Sequence, residues 1–506
     1  MARFKHIDMS PRLLAVDLSR QIFPGSFEFA LSHLIEHQIN LQAFEARYRN
    51  DQVGAPAYPP AVLLKIVLLA YSKGLIHSRD IEAACRENVV FMAISGDSHP
   101  HFTTIAHFVA TLGEAIAEVF TQVLVICENQ RLIGRQMFAI DGVKLPSNAS
   151  KAKSGTRADF LREAAKMRAQ VNKMIERHRS RDQSDTGEEL DQGEARHIQR
   201  LTRDAERIQR WLEDNPHDRR GAKNSVRQSN RTDNQSAKMA TEKGVIQGYT
   251  AVAAVDDRHQ IIVEAQAHGV GQEQELLIPM VEALQPLLAP DTVVSTDAGY
   301  YSKANVQALD QRGVEACVPD PNYRKRDPRY AGQQQHKNKP DALWDKRSKP
   351  NKVPLFGPNQ FKVAPDLSHC ICPAGKRLYR NGRHHNLNGF EAVKFTGTKR
   401  DCSGCALRSR CLRHPHRTPV RQVAIFLRKV IIELQVERMK AKVDSALGRE
   451  LIGRRFATVE PVFGNLRYNK GLNRFTLRGR SKVDGQWKLY CLVHNIEKLA
   501  NHGYAT

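Results

Sequence analysis

No run of apolar residues in this 506-residue chain approaches the roughly 18 that a membrane-spanning helix needs. The opening MARFKHIDMSPRLL has no apolar core of signal-peptide length. These two absences predict a soluble cytoplasmic protein. Cysteine is scarce too: nine residues are too few for a disulfide scaffold, so clustered ones are expected to hold metal or to be structural. Acid is the third shortage, with 54 Asp and Glu against 77 Lys and Arg and a formal charge of +23. Such a surplus favours a polyanion such as nucleic acid over a neutral metabolite. About 19 of those net charges fall between residues 321 and 430, which marks a regional surface for phosphate. What the chain does have is 41% apolar residues, enough for a sizeable core and two to four domains.

Residues 1–130 read as helical, because FEFALSHLIEHQINLQAFEARYRN, PAVLLKIVLLAYSKG and HFTTIAHFVATLGEAIAEVFTQVLVICENQ place apolar residues three and four apart. Ser78 and Thr103 or Thr104 are candidate helix caps. Short helices with tight turns suit a helical DNA-binding or dimerisation domain. Residues 151–240 are a charged insertion, a helical arm with a thin stripe at Leu201, Ile208 and Leu212 and a polar tip, DQSDTGEELDQ.

Within 131–320, strands are expected near 135–141, 248–268 and 292–297, with helices at QEQELLIPMVEALQPLL and KANVQALDQRG and a short strand at EACVPD. That order describes an α/β fold, a mixed sheet flanked by helices. Residues 321–425 form a second insertion, basic and without clear periodicity. A helical pattern returns at QVAIFLRKVIIELQVERMKAKVDSALGRELIG and runs through 426–506.

RQMFAIDGVKL ends an apolar run in Asp141, and TVVSTDAGYYS repeats the pattern at Asp297. Asp-Gly is also a hairpin signal. Two acids at the ends of neighbouring strands can instead converge on one face, and a third from a helix across that face would complete a set of hard oxygen ligands for two Mg²⁺ or Mn²⁺ ions. The third candidate is Glu460, the lone acid of RRFATVEPVFGNLRYNKGLNRFTLRGRSK, with Glu433, Glu437, Glu450 and Asp256 as possible substitutes. Pro461 predicts that Glu460 lies at or near a helix start or at a kink. Arg454, Arg455, Arg467 and Lys470 around it, and Lys144, Lys151 and Lys153 beyond Asp141, are candidates for binding phosphate. Tyr300 and Tyr301 could stack on a base or pack in the core.

AIDGVKLPSNASK, GYTAVAAVD, STDAGYYSKAN and VEPVFGNLRYNKGLNRFTLRG resemble the blocks of DDE transposases of bacterial insertion sequences. PPAVLLKIVLLAYSKGLIHSRDIEAACRENVVFMAISG resembles the helical domain that precedes them in the same proteins. The resemblance implies an RNase H-like catalytic domain behind an all-helical N-terminal domain. Asp141, Asp297 and Glu460 would be its metal-binding acids, with Arg455 and Arg467 flanking the glutamate. In a neighbouring branch an arginine stands four positions before the glutamate, whereas here that position is Phe456. The implied function is metal-dependent cleavage and strand transfer on double-stranded DNA, at element ends and target, by a homodimer or larger synapse at the nucleoid. Alternatives are an RNase H-like nuclease that does not join strands, and an inactive DNA-binding descendant.

CICPAGKRL and DCSGCALRSRC supply Cys372, Cys402, Cys405 and Cys411, whose two-residue gap lets two sulfurs reach one tetrahedral ion, a possible structural Zn²⁺ site. Cys370 is a rival for Cys372, and His369, His384, His385, His414 or His416 could replace a thiolate. YRKRDPRY and the arginines around Cys411 would face DNA. Cys85, Cys127, Cys317 and Cys491 are expected in the core.

Overall fold

A computed structural model describes residues 15–48, 50, 56–182, 192–221, 224–241, 244–336, 354–387, 390–429 and 434–504. The tip of the charged arm, 183–191, and Glu433 lie outside them. The chain forms two compact units, one of Met1–Pro328 with Lys442–Thr506, the other of Arg329–Ala441. Among the described residues no single helix is long and apolar enough to cross a membrane.

The first unit opens with helices Phe27–His37 (α1), Pro60–Ser72 (α2), Ser78–Glu87 (α3), Val89–Ser95 (α4), Phe102–Ala110 (α5) and Ala115–Asn129 (α6). Helix α2 is buried from Leu63 to Tyr71, as its nearly unbroken apolar run requires. Its one charge, Lys65, is bonded to Glu36 at 2.5 Å. The two expected caps are corrected: α3 begins at Ser78 without a side-chain cap, and the His101 ring accepts from the Thr103 N–H at α5. This helical layer packs on the C-terminal helix Arg480–Asn501, where Gln486 donates to the buried Tyr71 hydroxyl at 3.0 Å.

The sheet follows, with strands Met137–Pro146 (β1), Ala237–Thr241 (β2), Gly244–Asp256 (β3), Ile262–His268 (β4), Val293–Ser295 (β5) and Ala316–Cys317 (β6). Their order is β6-β5-β1-β3, with β2 and β4 pairing the two halves of β3. β1 runs antiparallel to β3 and parallel to β5, and β5 is parallel to β6. The mixed α/β class is as the chain's element order predicted.

Asp141 does not end its strand. β3 pairs β1 along its length, Asp141 opposite Ala253 and Gly142 opposite Val252, so β1 continues to Pro146. β5 pairs only Met137 to Ala139, which leaves Asp141 just past the end of that neighbour.

Between β1 and β2 the insertion forms a pair of packed helices, Arg157–Asp182 (α7) and Gln192–Asp214 (α8), with a small core of Phe160, Ala164, Ile208 and Leu212. Helices Leu277–Leu284 (α9) and Lys303–Gln311 (α10) link β4, β5 and β6. Helix Ala446–Gly464 (α11) packs on β1, and the C-terminal helix (α12) lies along β4. Asn495 of α12 accepts from the Ile262 N–H at 2.9 Å and Asp484 from that of Ala267 at 2.7 Å. Polar side chains thus occupy backbone groups that an edge strand would otherwise present to other chains.

Glu460 is not near a helix start: it lies fifteen residues into α11, beside a proline inside the helix. Proline cannot donate, so the carbonyl of Ala457 loses its helical partner. The Gln260 side chain supplies a replacement at 3.3 Å.

The second unit holds strands Lys362–Val363 (β7), His369–Ile371 (β8), Arg377–Arg380 (β9), His385–Leu387 (β10), Phe390–Thr396 (β11) and Gln422–Lys429 (β12) in an antiparallel sheet. QVAIFLRK, expected to be helical, is strand β12. Seven of its residues pair with β11, and that long-range ladder outweighs the local helical spacing. The core is Phe361, Cys370, Leu378, Val393, Phe395 and Val423.

Candidate active site

The centre of the site is Asp141, which accepts from its own neighbour's N–H, Gly142, at 2.7 Å and from Arg455 Nη1 of α11 at 3.0 Å. Burial pushes its carboxyl up to about 6, against the attraction of Arg455, and the charge of Asp297 pushes the same way as burial. Asp297 sits two residues past β5, where its carboxylate accepts the Gly299 N–H at 2.9 Å and caps the turn Ala298–Tyr300. The fold therefore brings Asp297 near enough for its charge to act on Asp141.

Gly142 is needed for packing. A β-carbon there would stand 3.0 Å from the Tyr300 hydroxyl and 3.2 Å from Thr250 Cγ2. Tyr300 is wholly buried, and its hydroxyl has no hydrogen-bond partner among the described residues. Burial, then the charges of Asp141, Glu273 and Asp297, raise its ionisation far above the usual phenol range. An unpaired hydroxyl in a protein interior costs stability, so Tyr300→Phe is expected to leave the melting temperature unchanged or to raise stability by up to about 1 kcal/mol. Thermal denaturation checks this; a fall of several degrees would show that the hydroxyl does have a partner.

Glu273 was not legible as part of this site. It lies in the single turn Glu273–Glu275 after β4, bonded to Lys144 at 2.8 Å. Its Oε2 and Asp297 Oδ1 both lie within 3.1 Å of where a β-carbon on Gly299 would stand. The only available signal was an acid just beyond the strand that follows β3, and GQEQE holds two such acids, Glu273 and Glu275.

Glu460 is exposed on α11, five residues beyond Arg455 and so roughly 140° round the helix from it. Asp256, one possible substitute, is fully buried and accepts the N–H groups of Gly134, Arg135 and Arg258 at 2.8 to 3.0 Å. It closes the turn before β1 and is not at the site. Glu437 pairs with Lys440 in the other unit's sequence, and Glu450 is exposed on α11. Among the described residues no three His, Cys, Asp or Glu side chains stand as a ready-made metal cage.

Several of the basic candidates are already engaged. Arg454 pairs with Asp257, at the opposite end of β1 from Lys144, and Lys470 is buried against Glu497 at 2.7 Å. Both brace the fold as they stand. Arg467 lies over the exposed Tyr468 ring, 5.9 Å from its centroid, and Lys151 and Lys153 are exposed.

In the second unit Cys372, Cys402, Cys405 and Cys411 line one cavity, and burial pushes the Cys411 thiol's ionisation up, with the three neighbouring sulfurs acting in the same direction. The Lys376 N–H donates to Cys372 Sγ at 3.3 Å in a tight turn through Gly375. A β-carbon on Gly397 would come within 2.9 Å of Cys402 Sγ. Cys370 belongs instead to the sheet core. His384 pairs with Glu391, His369 with Ser368 and His385 with the Asn381 carbonyl. Arg408 and Arg421 near Cys411 turn inward onto backbone carbonyls, leaving Arg413 and Arg417 exposed.

Residues 371–500 match a family model described as a transposase DDE domain, and residues 16–111 one described as a transposase domain (DUF772). No curated protein matches the chain.

Proposed function

We propose that this chain, a DDE transposase of an insertion element, cuts and rejoins DNA at the element's ends through Asp141, Asp297 and Glu460. The family implies a DNA substrate and an enzyme that cleaves or transfers it. The observation that carries the finer claim is the electrostatic coupling of Asp141 with Asp297, on β1 and just past β5, beneath a helix that brings Arg455 to the first and carries Glu460. The strand order, β1 antiparallel to β3 and parallel to β5, supports an RNase H-like domain.

The donor set suits a divalent cation. Asp141 and Asp297 are two carboxylates beside one cation, Arg455, and their oxygens are the hard ligands that Mg²⁺ and Mn²⁺ prefer. Bound there, two such ions would lower the pKa of an attacking water and stabilise both the entering and the leaving oxygen of a phosphodiester. The chain's own part is positional. Arg455 and the Gly142 N–H hold the Asp141 carboxylate in one orientation, and the Gly299 N–H does the same for Asp297. Water would add to phosphorus as the bond to the 3′ oxygen breaks and that oxygen takes up a proton; the freed 3′-hydroxyl would then attack a target phosphodiester in line, joining to its phosphorus as the target's own 3′ oxygen leaves and is protonated. Arg467 and the exposed Lys151 and Lys153 would contact phosphate, and the N-terminal helices would bind or pair the ends. Two ends cut in concert call for at least two copies, acting at the nucleoid.

Joining separates this function from its rivals. With an end-labelled substrate, Mg²⁺ and a second duplex, the 3′-hydroxyl end is expected to become attached to the second duplex. Cutting without attachment identifies a nuclease, and no metal-dependent nicking identifies a DNA-binding descendant.

Four thiols around one cavity, with a backbone N–H aimed at one sulfur, support a structural zinc in the second unit. Purified protein is expected to carry about one zinc per chain, lost in Cys405→Ser. Elemental analysis checks both; a zinc-free, fully folded wild type would remove the site.

A further inference from the structure

We propose that Glu273 belongs to the cation-binding carboxylates of this site, holding an ion together with Asp297, with Lys144 covering it until the ion arrives. The inference rests on the reading above, in which Asp141 and Asp297 bind divalent cations, and extends it to a residue no motif assigns.

Three observations bring Glu273 in. The first is proximity: Oε2 of Glu273 and Oδ1 of Asp297 both lie within 3.1 Å of where a β-carbon on Gly299 would stand, so the two carboxylates meet at a residue that only glycine can fill. Like charges brought this near one another favour a cation beside them. The second is the cation present: Lys144 Nζ sits on Glu273 Oε1 at 2.8 Å, leaving the Asp297 side without a matching ammonium in that pair. The third points to a ligand. The Tyr300 hydroxyl is wholly buried and unpartnered among the described residues, beside Gly142, where Asp141, Glu273 and Asp297 all act on it. A donor that polar needs an acceptor, and a water or phosphate oxygen brought in with the ion would supply one.

Glu273 and Asp141 approach from different elements, the turn after β4 and the middle of β1. Lys144 is three residues from Asp141 on β1, so by strand alternation their side chains leave opposite faces of the sheet. Asp297, beyond the end of its strand, is the residue able to share ions with both.

The experiment is a Mn²⁺ titration of the DNA-free protein, with free Mn²⁺ read by electron paramagnetic resonance. Glu273→Gln is expected to weaken Mn²⁺ binding at least about tenfold while melting with the wild type, and Glu273→Asp to keep most of it. Lys144→Met is expected to bind Mn²⁺ as tightly as wild type or more so, because its removal uncovers the carboxylate. If Lys144→Met weakens binding as much as Glu273→Gln, the pair is only a brace and the proposal is wrong. Wild-type binding in Glu273→Gln alongside weakened binding in Asp141→Asn and Asp297→Asn overturns Glu273 alone. Unchanged binding in all three removes the cation site and this extension with it. Should Glu273→Gln fail to fold, the Glu273→Asp and Lys144→Met titrations decide the matter.

Discussion

Asp141→Asn and Asp297→Asn each lose strand cleavage at the element end by at least about a thousandfold, while binding of that end stays within about threefold of wild type. The size follows from what the carboxylates supply. An amide of the same shape keeps packing and the bond from Arg455 but contributes no charge to hold a cation, so chemistry fails and affinity does not. Asparagine is the better probe than alanine at 141, because Asp141→Ala also strands the buried Arg455 guanidinium. Glu460→Gln is expected to be as damaging, although Glu460 is exposed and five residues from the arginine that meets Asp141. Cleavage assays on labelled ends, run beside gel-shift binding, check all three. Retained cleavage in Glu460→Gln, with loss in Glu273→Gln, would move the third acid from α11 to the turn after β4.

Arg455→Leu is the change with the largest expected effect on stability. The arginine is 7% exposed and its carboxylate partner is half-buried, so truncation leaves a charge without its counter-charge in a site that burial has already made unfavourable for an anion. The loss is expected to be about 3 kcal/mol in the absence of divalent cation. Millimolar Mg²⁺ or Mn²⁺ should recover part of it, and stabilise the variant more than the wild type, since the ion supplies the missing positive charge. Thermal denaturation with and without the ion measures both. A variant that melts with the wild type, or gains nothing extra from the ion, would show that the Arg455 pair contributes little and that no cation competes for Asp141. Arg455→Lys is not a conservative control, because a flexible ammonium cannot reproduce the guanidinium's fixed geometry.

Much of this site could be read from the chain because its two aspartates sit in short-range patterns. An apolar run ending at an acid, followed by glycine, places Asp141 on a strand without knowledge of any partner. TVVSTDAGYYS likewise puts Asp297 just beyond a strand, where it lies two residues past β5. Periodicity also sufficed for α2, α6 and the α7–α8 arm, whose apolar stripes are local. It failed at QVAIFLRK, where spacing suited a helix but β11 supplied a ladder from thirty residues away. It failed also at Glu460, because proline reads as a helix start unless another side chain, here Gln260, satisfies the carbonyl it frees.

Sequence alone settled the basic surplus and the α/β order of elements, and singled out the two aspartates and the four thiols as candidates, since each depends on composition or on neighbours within a dozen residues. Tertiary structure alone decided which arginine meets Asp141, that Arg454 and Lys470 are tied to Asp257 and Glu497, that Cys370 is core while Cys372 lines the cavity, and that Glu273 and Asp297 both come up to Gly299. Those are pairings between residues distant along the chain. Electrostatic and packing energies depend on separation in space, and the order of residues does not record which distant groups end up a few ångströms apart.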